Sequence, residues 1–317
     1  MTRFIVIRAA MLVAGLLVAS ILIFFTLRIL PGDVALVIGG TQASPERIAA
    51  IRAQLGLDQP IVAQYLDWVG GLLRLDLGTS VVTGSSVSAQ IAQKLAVTGP
   101  LALLSLLFGL VIALPLGFLS AVRRSRASGV AIAFGAQAAA AVPVVWAGLL
   151  LILLLSTALG LFPSQGFPLN GWADPWGALR SLILPALTIG IVEGAVLLRF
   201  VRSAVLSAQG QLHVTAAAAR GLTRRQALLR HGLPNAGLSV VSVLGLQLAA
   251  LIVGAVVVEQ LFNLPGLGPM LVTDVGQRDL PKVQSVVFTI TAIILVVGFL
   301  VDLVHRIVDP RLRAGTA

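Results

Sequence analysis

Charge-free stretches, most of them too long for an ordinary buried helix, recur along this chain. Ala9–Leu27 runs 19 residues without a charge, Leu95–Val122 runs 28, Ala127–Ala173 runs 47, Ala236–Val258 runs 23 and Val283–Val301 runs 19. Ser181–Val192 continues past Glu193 to Leu198. About 20 apolar residues suffice to cross a bilayer as a helix. The 47-residue run exceeds one helix, and Pro163, Pro168 and Gly171 interrupt its second part. The pattern predicts six spans, at about 9–29, 97–121, 129–158, 181–201, 237–259 and 283–305. The expected fold class is all-α, a polytopic membrane protein with one transmembrane domain over 1–317, because a helix in lipid satisfies its own backbone hydrogen bonds.

Composition agrees with the pattern. Hydrophobic residues make up 58% and charged residues 11% of the 317, against roughly 25% charged in a soluble protein. This excludes a soluble globule and a disordered chain. With no Cys there is no disulfide, thiolate or cysteine metal site. The first span exceeds the usual 7–15 apolar residues of a signal peptide, and no A-x-A-like site follows it before Pro31-Gly32, so it is expected to be retained.

The net charge of +10 is a topology signal. With the N-terminus inside, the short inner segments hold 14 basic residues, among them Arg3, Arg8, Arg123, Arg124, Arg126 and Arg199. The outer segments hold the other 8, together with 9 acids including Glu259. That is the positive-inside distribution with both termini cytoplasmic, and it argues against nucleic-acid binding. Trp68, Trp172 and Trp176 fall near span ends, where indoles favour the headgroup zone. Trp146 falls mid-span and reads as packing.

Two segments between spans carry local signals. In the outer loop 31–94, Ser44-Pro45-Glu46 reads as a helix start. After Gln59-Pro60, the residues Ile61, Tyr65, Leu66, Val69 and Leu72 lie at helical spacing, predicting an amphipathic surface helix. In the inner loop 203–235, an Ala-rich helix over Thr215, Ala216 and Ala217 ends at Gly221, and a second short helix begins at Thr223. Pro234 is expected to separate that helix from the next span. The result is either a compact knob that receives a partner or a solvated basic loop serving topology alone.

The spacing of that loop resembles the EAA loop of the permease subunits of bacterial ABC importers. Ala216, Ala217, Gly221, Leu233 and Pro234 fall in its register, with Thr215 in place of the motif's Glu and His231 in place of its Ile. Other stretches are similar to the dipeptide/oligopeptide branch, first-permease type: Leu30-Pro31-Gly32-Asp33, Leu55-Gly56-Leu57-Asp58-Gln59-Pro60, Asp76-Leu77-Gly78-Thr79-Ser80, Glu259-Gln260-Leu261-Phe262, Pro265-Gly266-Leu267-Gly268 and Asp309-Pro310-Arg311. The branch usually carries charges around 211–218, where this chain has Gln211, Leu212, His213 and Ala218.

The resemblance implies a non-catalytic permease subunit of the bacterial cytoplasmic membrane. It implies a second homologous permease as heterodimer partner, two P-loop ATPase subunits and an extracytoplasmic substrate-binding protein. No cofactor is expected on this chain, with ATP bound by the partners. Ala216 and Ala217 would seat against the ATPase and Gly221 would set the angle between the two short helices. Thr215, Leu222, Leu233 and Pro234 complete the coupling set. Arg224 and Arg225 would meet acidic groups of the ATPase or anionic lipid headgroups. The substrate class implied is dipeptides or oligopeptides, with glutathione, nickel chelates and sugars also carried by relatives.

The residues exclude other chemistry. No G-x-x-x-x-G-K-[ST] occurs, and neither lysine, Lys94 or Lys282, follows a Gly, so the chain lacks a phosphate cradle. Glu193 is the clear ionisable group within a span, where such groups mark function. Glu193 and Gln247 either line the translocation pathway or bond helix to helix. Glu193 and Arg199 are six apart and do not share a helix face. Asp302 is expected to pair with an arginine. The alternatives to an importer subunit are a secondary transporter or channel without an ATPase, or an intramembrane enzyme.

Overall fold

A computed structural model of the protein describes residues 2–29, 34–39, 43–54 and 56–308. Of the quoted motifs, Leu30-Pro31-Gly32-Asp33, Leu55 and Asp309-Pro310-Arg311 lie outside the described residues. The chain is built of helices: α1 (Thr2–Ile29), α2 (Val34–Gly39), α3 (Pro45–Gln54), α4 (Ile61–Leu73), α5 (Val87–Val122), α6 (Ala127–Ala141), α7 (Val144–Leu151), α8 (Pro175–Gln209), α9 (Leu212–Ala219), α10 (Arg224–Ala227), α11 (Leu233–Leu261), α12 (Leu267–Gly276) and α13 (Leu280–Val308). Among the described residues the only extended pairing is a single bridge, Thr79 to Ser86.

Five helices, α1, α5, α8, α11 and α13, are long and apolar enough to cross a membrane. The sixth predicted span, 129–158, is not one straight helix. It is α6 followed by α7 and a π-helical turn at Ile152–Ala158, bent by 104°. Pro143 is the cause. It lacks the N–H that would continue the ladder, and it pushes Val142 into an extended conformation, φ −77° and ψ 126°. The β-branched Val142, Val144 and Val145 around it add a local preference against helix. Pro100, Pro115 and Pro185, by contrast, sit inside the unbroken α5 and α8. Trp146, in the first turn of α7, is 62% exposed on this chain.

The helices overrun the predicted spans. α5 begins ten residues early and carries Lys94 within its first turns. α8 starts at a cap in which the Asp174 carboxylate accepts from Gly177 N–H at 3.0 Å, with Pro175 in the first turn. α3 and α4 stand where the sequence signals put them.

The described residues pack as two units. One comprises Thr98–Leu264 with residues 2–5 of α1 and 296–308 of α13. α8 is its axis, packing against α6, α7 and α11. Its core is Leu197, Leu198, Val201 and Val205 of α8, with Ala113 and Ala121 of α5, Ala136 of α6 and Val240 of α11. α8 and α5 come together at glycines. A Cβ on Gly194 would lie 3.1 Å from the Gly109 Cα, and one on Gly190 would lie 3.0 Å from the Ser105 carbonyl oxygen. Small residues four apart permit this close crossing.

The other unit comprises Val6–Val97 and Pro265–Leu295. Val87, Ile91, Leu267, Met270 and Val286 form one core. An aromatic cluster of Phe24, Tyr65, Trp68 and Phe288 forms a second contact, with Trp68 ring centroids 6.0 Å from Phe24 and 5.6 Å from Phe288. Trp68 is therefore a packing residue as well as a span-end tryptophan. Ser20 and Tyr65 hydroxyls share a hydrogen bond of 2.9 Å between α1 and α4.

Candidate functional site

The knob at 211–234 is built by local hydrogen bonds. α9 closes as a Schellman motif: Leu222 N–H donates to the Ala217 carbonyl at 3.4 Å and Gly221 N–H to Ala218 at 3.1 Å. This places Gly221 at φ +101°, a conformation that side chains oppose. Leu222 then folds back onto Val214, Ala217 and Ala227, which are buried. Thr223 opens α10 with a reciprocal capping box. Its hydroxyl accepts from Gln226 N–H at 3.3 Å, and the Gln226 side-chain oxygen accepts from Thr223 N–H at 3.1 Å.

The predicted coupling residues separate into two sets. Thr215, Ala216, Gly221 and Arg225 are exposed. Ala217 is buried and Leu222 half-buried, so these two hold the knob together from within. Pro234 does not separate the knob from the next span, as the sequence led one to expect. The chain passes from α10 through a π-helical turn at Leu228–Gly232 directly into α11, with Pro234 in its first turn, where a missing N–H costs nothing. Leu233 packs on the core beneath. The side chains of Arg224 and Pro234 lie outside the described residues, though their backbone is helical. His213 and the His231 carbonyl meet at 3.0 Å and tie α9 to that turn.

Within the spans, the two pathway candidates bond to each other. Gln247 Nε2 of α11 donates to Glu193 Oε2 of α8 at 2.8 Å, with both residues half-buried. This is the helix-to-helix bond. Arg199 does not join it but donates to Gln137 of α6 at 3.0 Å.

Sequence reasoning missed two polar sites. Glu259, counted with the outer loops, is fully buried and accepts from the Thr98 hydroxyl at 2.5 Å. The following residues anchor the 160–170 loop: Phe262 O accepts from Gly166 N–H at 2.8 Å and Leu261 O from the Gln165 amide at 3.1 Å. The second site is a clasp in which the 76–86 segment grips the α12–α13 corner. The Ser80 hydroxyl donates to Asp279 Oδ2 at 2.5 Å and Ser285 to the Leu77 carbonyl at 2.8 Å. Beside them Lys282 and Asp274 form a buried ion pair of 2.7 Å. Desolvation pushes the Asp274 carboxyl above the ordinary Asp range, with Lys282 opposing it. Only the clustering of motif residues at 76–80 hinted at this.

Comparison with known proteins bears on what such a set of helices is for. The family described as "Binding-protein-dependent transport system inner membrane component" matches residues 113–314, and its N-terminal counterpart matches residues 1–102. This chain belongs to that permease family. The permease is 38% identical over 313 residues to a Brucella abortus protein provisionally named a peptide transport system permease protein, covering 99% of each chain. It is 33% identical to the dipeptide transport system permease protein DppB of Escherichia coli K12 and 34% identical to the glutathione transport system permease protein GsiC of Salmonella choleraesuis, again over 99% of each chain. The permease is thus a multi-pass inner-membrane component of a transport system that works with a binding protein.

Proposed function

We propose that this permease forms half of the membrane pathway of an ATP-driven importer for dipeptides or oligopeptides. A second homologous permease forms the other half as a heterodimer partner. Two P-loop ATPase subunits bind and hydrolyse the ATP, and an extracytoplasmic binding protein delivers substrate. No cofactor belongs to this chain. The observation that carries the reading is the end-to-end match to peptide, dipeptide and glutathione permeases, with a preformed knob at the position of the coupling loop.

Both termini and the knob face the cytoplasm in this reading, which the distribution of arginines supports. Thr215, Ala216 and Arg225 face the ATPase, small side chains at the first two allow close approach, and Arg224 adds charge to the same contact. Gly221 fixes the angle between α9 and α10, while Ala217 and Leu222 keep the knob rigid. Leu233 and Pro234 pass its movement into α11 without a flexible joint. ATP binding shifts the transporter between outward- and inward-open states because the ATPases bind the knob differently in the two. Glu193 and Gln247 clamp α8 to α11, and the Glu193 carboxylate offers the pathway its acidic group.

Purification of the tagged permease in mild detergent tests this. Recovery of a P-loop ATPase and a second six-span permease is expected. Recovery of the folded chain alone would instead favour a secondary transporter or channel.

A further inference from the structure

A cavity of about 230 Å³ lies between the end of α1, α4 and the start of α13. Nothing in the transport reading uses it. Arg28 and Asp67 bring charge to its lining, Gln59, Gln64, Trp68 and Gln284 bring neutral polar groups, and Leu27 and Leu57 form apolar wall. Two buried polar atoms of these lining residues have no hydrogen-bond partner among the described residues: Trp68 Nε1, a donor, and Gln64 Oε1, an acceptor. Burial without a partner is costly for such atoms. Their places are fixed. The Gln64 amide nitrogen is engaged by the Leu57 and Gln59 carbonyls at 3.2 and 2.8 Å, and the Trp68 ring is held by Phe24 and Phe288. The Arg28 guanidinium lies over the Phe24 ring at 5.1 Å. Among the described residues no ion pair joins Arg28 to Asp67.

We propose that this cavity is a phospholipid headgroup site that takes a zwitterionic, primary-ammonium headgroup of the phosphatidylethanolamine type. The phosphate lies against Arg28 and accepts from the Trp68 indole N–H. The ammonium lies against Asp67 and donates to Gln64 Oε1. Among the described lining residues there is one positive and one negative side chain, which suits a headgroup with no net charge better than an anionic one. Depth and surroundings point to lipid. Arg28 stands at the end of a spanning helix, the level of the headgroups. Phe25 and Ile21, one and two turns below it on the same face, are exposed apolar residues on which acyl chains can lie. The volume accommodates a headgroup and falls below the ~300–1,000 Å³ of pockets that enclose whole drug-sized ligands, which disfavours a peptide with variable side chains.

Native mass spectrometry of the purified complex, titrated with dioctanoyl phosphatidylethanolamine, tests the site. One saturable binding event attributable to this chain is expected, with dioctanoyl phosphatidylglycerol at least several-fold weaker. Trp68→Phe, which keeps an aromatic ring against Phe24 and Phe288 and removes the donor, and Arg28→Gln should each weaken binding by about tenfold, the scale of one charge-assisted or buried hydrogen bond. Asp67→Asn, at an exposed position, should erase the preference over phosphatidylglycerol. Binding unchanged in all three variants would overturn the proposal. Soluble phosphoethanolamine binding as tightly as the lipid would also overturn it, in favour of a site for free phosphate compounds. Displacement of the lipid by dialanine would overturn it in favour of a peptide site.

Discussion

The bonds that close α9 and open α10 join residues three to five apart: Gly221 to Ala218, Leu222 to Ala217, Gln226 to Thr223. The bonds that shape the clasp join residues about 200 apart, Ser80 to Asp279 and Ser285 to Leu77. The first kind forms with little loop-closure cost and survives movement of its surroundings. The second exists only when the distant segments have already met. The knob can therefore be pushed as one piece, whereas the clasp fixes a corner in place. The chemistry follows the same division. The knob relies on alanine, a glycine and neutral caps. The clasp relies on buried charge, which is weak evidence of net stability yet costly to leave half-paired.

The largest effect is expected where that charge is broken. Lys282→Met leaves Asp274 buried and unpaired, which should cost about 3–5 kcal/mol, read as lost yield and a lower midpoint in thermal unfolding of the purified complex. Desolvation already raises the folded Asp274 pKa. Protonation is thus favoured by folding, a contribution present below the unfolded pKa and lost as pH rises through the folded one. The Lys282→Met defect should accordingly shrink on acidification, and Asp274→Asn in the same chain should restore most of the midpoint. A defect indifferent to pH and to Asp274→Asn would mean the clasp owes little to this pair.

Gly221→Asp comes next. A side chain at φ +101° is strained by about 1–3 kcal/mol. The bonds around it are local, so the complex should still assemble in the membrane. Peptide uptake should fall at least tenfold while ATPase activity persists. Normal uptake would remove Gly221 from the coupling account. Thr223→Ala removes one cap, about 1 kcal/mol, and should reduce uptake only a few-fold, with the reduction growing as temperature rises. Glu193→Gln should change least in stability, since an amide oxygen still accepts from Gln247. Unchanged uptake and substrate range in that variant would confine Glu193 to clamping α8 to α11.

The same division decided what could be read beforehand. The Ala-rich stretch, Gly221 and Thr223 spelled out α9, its end and the start of α10, because each signal acts on its own neighbours. The spans are legible as charge-free runs, but the break at Pro143 does not stand out within one, whereas Pro163 and Pro168 lie beyond a full span's length. A proline's effect depends on its flanks, and Val142, Val144 and Val145 made this one a break. Glu259 looked like an outer-loop acid, since its partner Thr98 is 161 residues away. The Lys282–Asp274 pair was hidden for a different reason. A charge near a span end reads equally well as solvated or buried, and only packing chooses. For Glu193 and Gln247 both readings stood in the sequence, and the 2.8 Å bond between them shows that they are partners in this chain.

The central claim is that the exposed face of the knob meets the ATPase, and the absence of native cysteine makes it directly testable. Single cysteines would be placed at Ala216, exposed, and at Ala217, buried beneath it, and each complex treated with a short bifunctional thiol–amine cross-linker in native membranes. The account predicts an adduct with the ATPase subunit from Ala216→Cys and none from Ala217→Cys. An adduct from neither position, or from Ala217→Cys alone, would contradict it.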